Sequence, residues 1–193
     1  MLSSFYIRNK PYILLLALSA LMTLTLAAVP IFQNNFIKLI NAIPYILWHN
    51  IFEISSIIIS ICIFCVSYYS FEQKQNLRYL FLGSMLFLMA LIGFYHVMSY
   101  KGMPDFLVAN DTANRATTFW IIARLIGGFG ILVSIAMPKK SKLRLNKILF
   151  IIIPILISLV ILNIVTYYPW LIPPMYIEVQ GLTTTKIILE IVV

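Results

Sequence analysis

The feature that most limits how this chain can fold is a series of long, almost uncharged apolar runs. A transmembrane helix needs about 20 consecutive apolar residues, and five stretches approach or exceed that length. The predicted spans run from about Tyr12 to Val29, Ile43 to Tyr68, Leu77 to Met98, Phe119 to Ala136, and Leu149 to Tyr167. We therefore predict an all-α fold, a polytopic transmembrane helical bundle with five full spans, as a single domain over residues 1–193.

Composition agrees with a lipid environment and excludes several classes of protein. The chain is 62% hydrophobic and 10% charged, whereas soluble domains average about 45–50% and 25%. Its net charge of +8 does not indicate a nucleic-acid partner, because tracking phosphates requires a water-exposed basic face. Two cysteines are too few for a disulfide-stapled secreted module. The expected partner is the lipid bilayer of the cell (inner) membrane.

A sixth apolar run begins near Leu182 and stops at Val193, which is too short to cross the hydrocarbon core. We expect the chain to be a fragment, cut inside a truncated sixth helix that leads into a C-terminal effector. The alternative is a short interfacial helix that ends the protein.

Basic residues between the runs predict the orientation, because cytoplasmic loops carry an excess of Lys and Arg. One side has nine such residues: Arg8, Lys10, Lys74, Arg78, Lys139, Lys140, Lys142, Arg144 and Lys147. The other side has Lys38, Lys101, Arg115, Arg124 and Lys186. The N-terminus is therefore predicted to be cytoplasmic. All three tryptophans then lie at outer span ends, where an aromatic belt is expected.

Ionisable residues inside predicted spans are candidate functional residues, because charge is costly in lipid. They gather toward the outer ends of the helices: His49, Glu53, His96, Arg124, Lys186 and Glu190. His49 and Glu53 share a helix face at a spacing of i, i+4. Each residue alone also fits an ordinary role, such as an interfacial hydrogen bond, a snorkelling arginine or a local ion pair. As a set, they predict a polar pocket that opens outward.

The chemistry of this pocket has three interpretations. His49, Glu53 and His96 suit a divalent metal ion, since imidazole and carboxylate are common ligands of zinc and iron. Two histidines on different helices could instead bind a haem iron axially. The third possibility is a proton or anion site, with Arg124 and Lys186 supplying positive charge.

Two further segments contain turn-forming or reactive residues. In the loop of residues 99–106, Gly102 and Pro104 predict a turn that could fold Lys101 over the pocket. Cys62 and Cys65 have the spacing of a redox motif, but they lie deep in a span, where thiolates are disfavoured. They are interpreted as packing residues.

Several strings resemble one known family. They are Trp48-His49-Asn-Ile-Phe-Glu53, His96-Val-Met-Ser-Tyr100-Lys101-Gly102-Met103-Pro104-Asp105-Phe106, and Trp120-Ile-Ile-Ala-Arg124. Together with Lys186 and Glu190 they are similar to the third family of membrane-associated sensor domains. The resemblance covers nearly the whole chain after the first span. It implies that His49, His96, Glu53 and Arg124 are motif residues, with Tyr100 and Lys101 beside them as further candidate binding residues.

The resemblance implies a sensory input domain without catalysis of its own. Such domains precede a cytoplasmic histidine kinase or diguanylate cyclase, as in two-component signalling, and the full-length protein is expected to form a homodimer. Its ligand, whether small molecule, metal or haem, is not indicated. A small transporter or channel subunit is the alternative, and a membrane-embedded enzyme or a structural anchor is less well supported. No substrate-binding break of a helix near mid-membrane is evident.

Overall fold

The computed structural model describes residues 16–25, 27–28, 30, 45–138 and 146–192. The chain divides into two units, residues 1–48 and 49–193. In the first unit, helix α1 (Leu16–Thr25) is apolar but short. The ends of the predicted first span lie outside the described residues, so that span and the cytoplasmic N-terminus remain predictions.

Among the described residues, four helices are long and apolar enough to cross a membrane. They are α2 (Tyr45–Lys74), α3 (Leu77–Met98), α4 (Ala113–Ala136) and α5 (Leu149–Tyr167). Spans two to five are thus confirmed as apolar helices, α3 and α5 with the predicted bounds. Helix α2 continues past Tyr68. Helix α4 begins before Phe119, because its polar first-turn residues are held by contacts with distant segments.

A tight turn joins α2 to α3. Gln75 adopts a positive φ of 49°, the left-handed conformation that commonly ends a helix. Asn76 then caps α3, its side chain accepting a hydrogen bond from the backbone N–H of Tyr79. The turn sets α2 and α3 side by side, so the start of α2 and the end of α3 lie at the same end of the bundle.

Helices α3 and α4 pack against each other through glycine. A Cβ at Gly130 would lie 2.6 Å from Cβ of Met85, and one at Gly127 would lie 2.8 Å from Sδ of Met89. Small residues therefore allow the close approach that membrane helices use in place of a hydrophobic driving force. At the far end of this pair, the guanidinium of Arg78 donates to the carbonyl of Met137, the C-cap residue of α4.

The core of the second unit lies between α3, α4 and α5. Its buried members are Leu88, Ile92, Tyr95, Phe119, Ala123 and Val165. Tyr95 and Ser158 share a buried hydrogen bond of 3.3 Å between their hydroxyls, which links α3 to α5. This core fixes the ends of α3 and α4 that carry the candidate site.

After α5 the chain forms a short 3₁₀ turn (Pro169–Leu171) and an antiparallel hairpin of β1 (Tyr176–Ile177) and β2 (Gly181–Leu182). Gly181 has a positive φ of 80°, which glycine adopts without strain. Helix α6 (Thr184–Val192) follows, with nine residues. The sixth apolar run is therefore helical only from Thr184 onward, because Leu182 pairs with Tyr176 in the hairpin. The sequence had not indicated these strands.

Candidate functional site

The two histidines of the chain meet at one point. His49, on the first turns of α2, and His96, on the last turn of α3, place their Nε2 atoms 3.2 Å apart. The rings are nearly perpendicular, with an interplanar angle of 78°. His96 is buried, at 4% exposure, whereas His49 is half-buried. The predicted convergence of the two helix ends is thus present for this pair.

A backbone contact fixes the proton on His96. Its Nδ1 lies 2.8 Å from the carbonyl oxygen of Ala116 on α4. A carbonyl only accepts, so Nδ1 carries the proton and the Nε2 lone pair of a neutral His96 points toward His49. The Nε2–H of His49 then donates to that lone pair.

Glu53 completes a cluster of potential ligands. One ligand atom from each of His49, Glu53 and His96 lies within 4.8 Å of the other two. Glu53 follows His49 by one helical turn and is half-buried. Two imidazoles and a carboxylate are a ligand set used for zinc and for non-haem iron. The residues that the sequence nominated as metal ligands are therefore close enough for modest side-chain rotation to bring them onto one ion.

A cavity of about 30 Å³ adjoins the cluster. Glu53, His96, Trp120 and Arg124 line it, as do the hydroxyl residues Ser56 and Ser60. Since a water molecule needs about 10–15 Å³ of such space, the cavity accommodates one or two. Arg124 is thus placed at the site as predicted, although it lies on the exposed side of α4.

Trp120 connects this cavity to the last helix. The guanidinium carbon of Arg124 lies 5.1 Å from the centre of its ring, and Nζ of Lys186 on α6 lies 5.0 Å from it. Both distances fit cation–π contacts. Lys186 is 7% exposed and also pairs with Glu190 one turn further along α6. The sequence had nominated Lys186 and Glu190 but not the indole that joins them to Arg124.

The loop after α3 supplies the remaining nominated residues. The Tyr100 ring lies 4.6 Å from the His49 ring and 6.2 Å from the His96 ring, between centroids. Met103 accepts a hydrogen bond from the Asn50 amide through its sulfur. Lys101, by contrast, does not line the cavity. Its Nζ lies 2.9 Å from Oε2 of Glu178 in the hairpin turn, and this hydrogen bond lowers the pKa of Glu178.

Sequence reasoning missed three contributors: the Ala116 carbonyl, Trp120 and Glu178. Glu178 accepts from Lys101 and also from the backbone N–H of Ala113, the first residue of α4. The contact of a backbone carbonyl cannot be inferred from the residue type, and Glu178 is separated from Lys101 by 77 positions in the sequence. Of these three, only Trp120, an aromatic residue one turn before Arg124, could have been recognised from the sequence.

Comparison with known proteins identifies the family of this chain. Residues 40–193 match the family model of the membrane-associated sensor domain MASE3. No curated protein and no solved structure is significantly similar to this chain. The family match takes in α2 to α6 and every residue of the site just described, so the chain belongs to the MASE3 family of membrane-associated sensor domains.

Proposed function

We propose that this chain is a membrane-embedded sensory input domain that binds a divalent metal ion through His49, Glu53 and His96. The site would lie near the outer leaflet, with the N-terminus in the cytoplasm. The observation that carries the proposal is the 3.2 Å separation of the two Nε2 atoms, with His96 held by Ala116.

That separation fits two ligands of one ion. Nitrogens bound at about 2.0–2.1 Å to a tetrahedral zinc lie about 3.3–3.4 Å apart. Metal-bound histidines also commonly donate their other ring N–H to a carbonyl or carboxylate, which orients the ring. His96 makes this contact with Ala116. Metal binding then requires modest rotation of the ligand side chains and a shift of the His49 proton from Nε2 to Nδ1, which leaves the imidazole neutral.

The same distance argues against haem. Axial nitrogens on opposite faces of a porphyrin are separated by two metal–nitrogen bonds, or about 4 Å, with the ring between them. Here the nitrogens are 3.2 Å apart. The adjoining cavity, at about 30 Å³, is also far smaller than a porphyrin. A bare ion, with water in its open coordination position, is the better fit.

The signal would leave the site through Trp120. A cation at the cluster offsets the negative charge of Glu53, which shares its cavity with Arg124. Any shift of Arg124 changes its contact with Trp120, and Lys186 of α6 rests on the same ring. Metal binding thus favours one of two positions of α6. The activity of an effector joined to α6, such as a cytoplasmic histidine kinase or diguanylate cyclase in a homodimer, would depend on that position.

Cobalt(II) provides a direct test, because its visible spectrum reports coordination geometry. The chain, purified in lipid nanodiscs with a histidine-free tag, is titrated with Co²⁺ and then with Zn²⁺ as competitor. We expect one ion per chain and a tetrahedral or five-coordinate spectrum. His96→Ala and His49→Ala should abolish it, and Glu53→Gln should weaken binding about 10–100-fold, by analogy with the loss of supporting ligands.

A Cys62→Ser, Cys65→Ser double variant is the matched control, since free thiols also bind cobalt and both cysteines are free. Retention of the spectrum in this variant supports the proposal. Absence of stoichiometric cobalt binding by the parent chain contradicts it. A Soret band in the purified protein would identify haem instead, and metal-dependent ion flux in proteoliposomes would indicate transport.

A further inference from the structure

A groove between α3 and α5 lies at the other end of the bundle from the histidine cluster. Its volume is about 210 Å³, more than tenfold the space of about 10–15 Å³ that one water needs. Residues from the first three turns of α3 and the first two turns of α5 line it: Phe81, Ser84, Met85, Leu149, Phe150 and Ile153. The groove therefore adjoins the membrane face at which both helices begin.

The wall of this groove offers little to water. Among the described residues that line it, only Ser84 is polar, and its hydroxyl is already bonded. Pro154 has no N–H with which to close the helical hydrogen bond to the carbonyl of Phe150. The Ser84 hydroxyl donates to that carbonyl oxygen instead, at 2.9 Å, as serines do near prolines in membrane helices. Water would find few partners in such a space, whereas a hydrocarbon chain needs none.

Arg78 lies on the side of α3 that faces the groove, one turn closer to the membrane face. It shares a helix face with Phe81 and Met85, at successive spacings of three and four residues. Its Nε and Nη2 both donate to the carbonyl of Met137. Within the described ranges, its Nη1 makes no hydrogen bond and is accessible, and no carboxylate lies within 4.0 Å of the guanidinium. One edge of the guanidinium is thus free to bind an anion beside the groove.

The surroundings of Arg78 carry an excess of positive charge. Glu72, near the end of α2, pairs with Lys147, just before α5, and so does not neutralise Arg78. Lys74 is exposed, and no ion pair joins it within the part of the chain that the structure describes. The sequence between α4 and Lys147 has four more basic residues and no acidic one: Lys139, Lys140, Lys142 and Arg144. Basic pockets between membrane helices bind anionic lipid headgroups.

We propose that one anionic phospholipid occupies this site, with an acyl chain in the groove and its phosphate on Nη1 of Arg78. A guanidinium binds a phosphate through charge-assisted hydrogen bonds. The acyl chain supplies the packing contacts that an empty groove would lack. A soluble anion would leave the groove empty, and a neutral hydrocarbon would leave the guanidinium unpaired. The site is separate from the histidine cluster, so the inference does not depend on metal binding.

A pair of charge variants tests the headgroup contact. Arg78→Gln keeps a donor for the carbonyl of Met137 but removes the charge. Affinity for an anionic lipid should therefore fall about tenfold, the value of one charge-assisted hydrogen bond. Lys74→Gln, which removes an exposed charge at the same membrane face, is the matched control and should leave the affinity unchanged.

A pair of bulky variants tests the groove. Leu149→Trp places a large ring in the path of the acyl chain and should abolish binding. Leu149 is 44% exposed, so the fold tolerates the larger side chain. Leu156→Trp, at an exposed position two turns further along α5 and outside the groove, is the control and should bind lipid as the parent chain does.

Native mass spectrometry measures both the occupancy and the affinity. The chain is extracted from its membrane in a maltoside detergent and inspected for retained phospholipid. Lipid-free chain is then titrated with dioleoylphosphatidylglycerol or with dioleoylphosphatidylcholine. We expect one retained phospholipid per chain. Phosphatidylglycerol should bind at least about fivefold more tightly, because the neighbouring basic residues repel the choline cation.

Three kinds of result would overturn the proposal. The first is the absence of a retained phospholipid, or equal affinity for the two lipids. The second is an equal loss in Arg78→Gln and Lys74→Gln, which would show a general attraction to the membrane face rather than a site. The third is a lipid-free dimer that Leu149→Trp disrupts, which would assign the groove to a second copy of the chain.

Discussion

Glu178 accepts a hydrogen bond of 2.9 Å from the ammonium of Lys101. Its second carboxylate oxygen accepts from the backbone N–H of Ala113, at 3.2 Å. One exposed carboxylate thus ties the hairpin both to the loop after α3 and to the start of α4. Helix α6 follows the hairpin directly in the chain.

The ion pair of Glu178 with Lys101 has a predictable pH dependence. The hydrogen bond that Lys101 donates to Glu178 lowers the pKa of Glu178 below its usual 4.5 and raises the pKa of Lys101 above its usual 10.5. Ionised Glu178 stabilises the contact between the hairpin and the loop after α3 fully above its usual pKa, and this stabilisation is lost as the pH falls through the lowered value. Protonated Lys101 stabilises the same contact fully below its usual pKa, and this stabilisation is lost as the pH rises through the raised value.

Hydrogen exchange of the hairpin should therefore show constant protection between these limits and a decline in acid below them. Glu178→Gln should remove the acid decline and leave exchange uniformly faster. An acid decline that persists in Glu178→Gln would assign the effect to another carboxylate.

The packing of α3 on α4 predicts unequal costs for two glycine substitutions. Gly130→Ala places its methyl 2.6 Å from the Cβ of Met85, an atom fixed to the backbone. We expect a loss of about 1–3 kcal/mol from overpacking. Gly127→Ala meets only the sulfur of Met89, which rotates away. This second variant should be neutral or more stable by up to about 1 kcal/mol, because alanine favours the helix.

Unfolding in mixed micelles measures both variants. Equal losses would indicate that Met89 is as confined as Met85, contrary to the packing described here.

Asn110 holds the loop between α3 and α4 closed. Its amide donates to the carbonyls of Met98, Met103 and Pro104, at 2.9, 3.3 and 2.6 Å. Asn110→Ala removes these hydrogen bonds and the one that the buried Arg115 donates, so we expect a loss of about 1–3 kcal/mol. Asn146→Ala, at an exposed position whose side chain accepts from the backbone N–H of Ile148, should cost less than about 1 kcal/mol. Thermal unfolding of the two variants in nanodiscs provides the comparison.

Trp120 should control how firmly α6 is attached. Trp120→Leu removes both cation–π contacts, each worth about 0.5–2 kcal/mol depending on solvation. Hydrogen exchange in α6 should accelerate, with Trp120→Phe intermediate because a smaller ring binds cations less well. Trp170→Leu is the control, since Trp170 is 72% exposed. Unchanged exchange in Trp120→Leu would show that α6 is held by other contacts.

Hydropathy predicted the spans well where an uninterrupted apolar run defines them. Both ends of α3, Leu77 and Met98, follow from the apolar run alone. The start of α4 did not, because Asn114 and Arg115 are polar. They are helical in part because Asn114 accepts from the backbone of Met175 and Tyr176, and Arg115 donates to Asn110. These contacts join segments that no local pattern relates.

The histidine cluster was predictable in part. Alternation of helix direction places the start of α2 and the end of α3 at the same depth, and ionisable residues at that depth are few. That argument brings His49 and His96 to one end of the bundle. It does not say which way each ring turns, which Ala116 determines for His96. The sequence identifies Arg115 only as a basic residue, because no local pattern relates it to Val108 and Asn110, to which it donates.

The glycine contacts between α3 and α4 also limit how a stimulus can travel. At Gly127 and Gly130 the α4 backbone already touches Met89 and Met85, so the two helices cannot move closer, and separating them would open a void in a packed core. The low-energy motion that remains is shear, in which one helix slides along the other while the interface stays closed. A displacement of His96 at one end of α3 would then move the opposite end of that helix, where Arg78 donates to the carbonyl of Met137. This helix pair would act as a piston rather than a hinge.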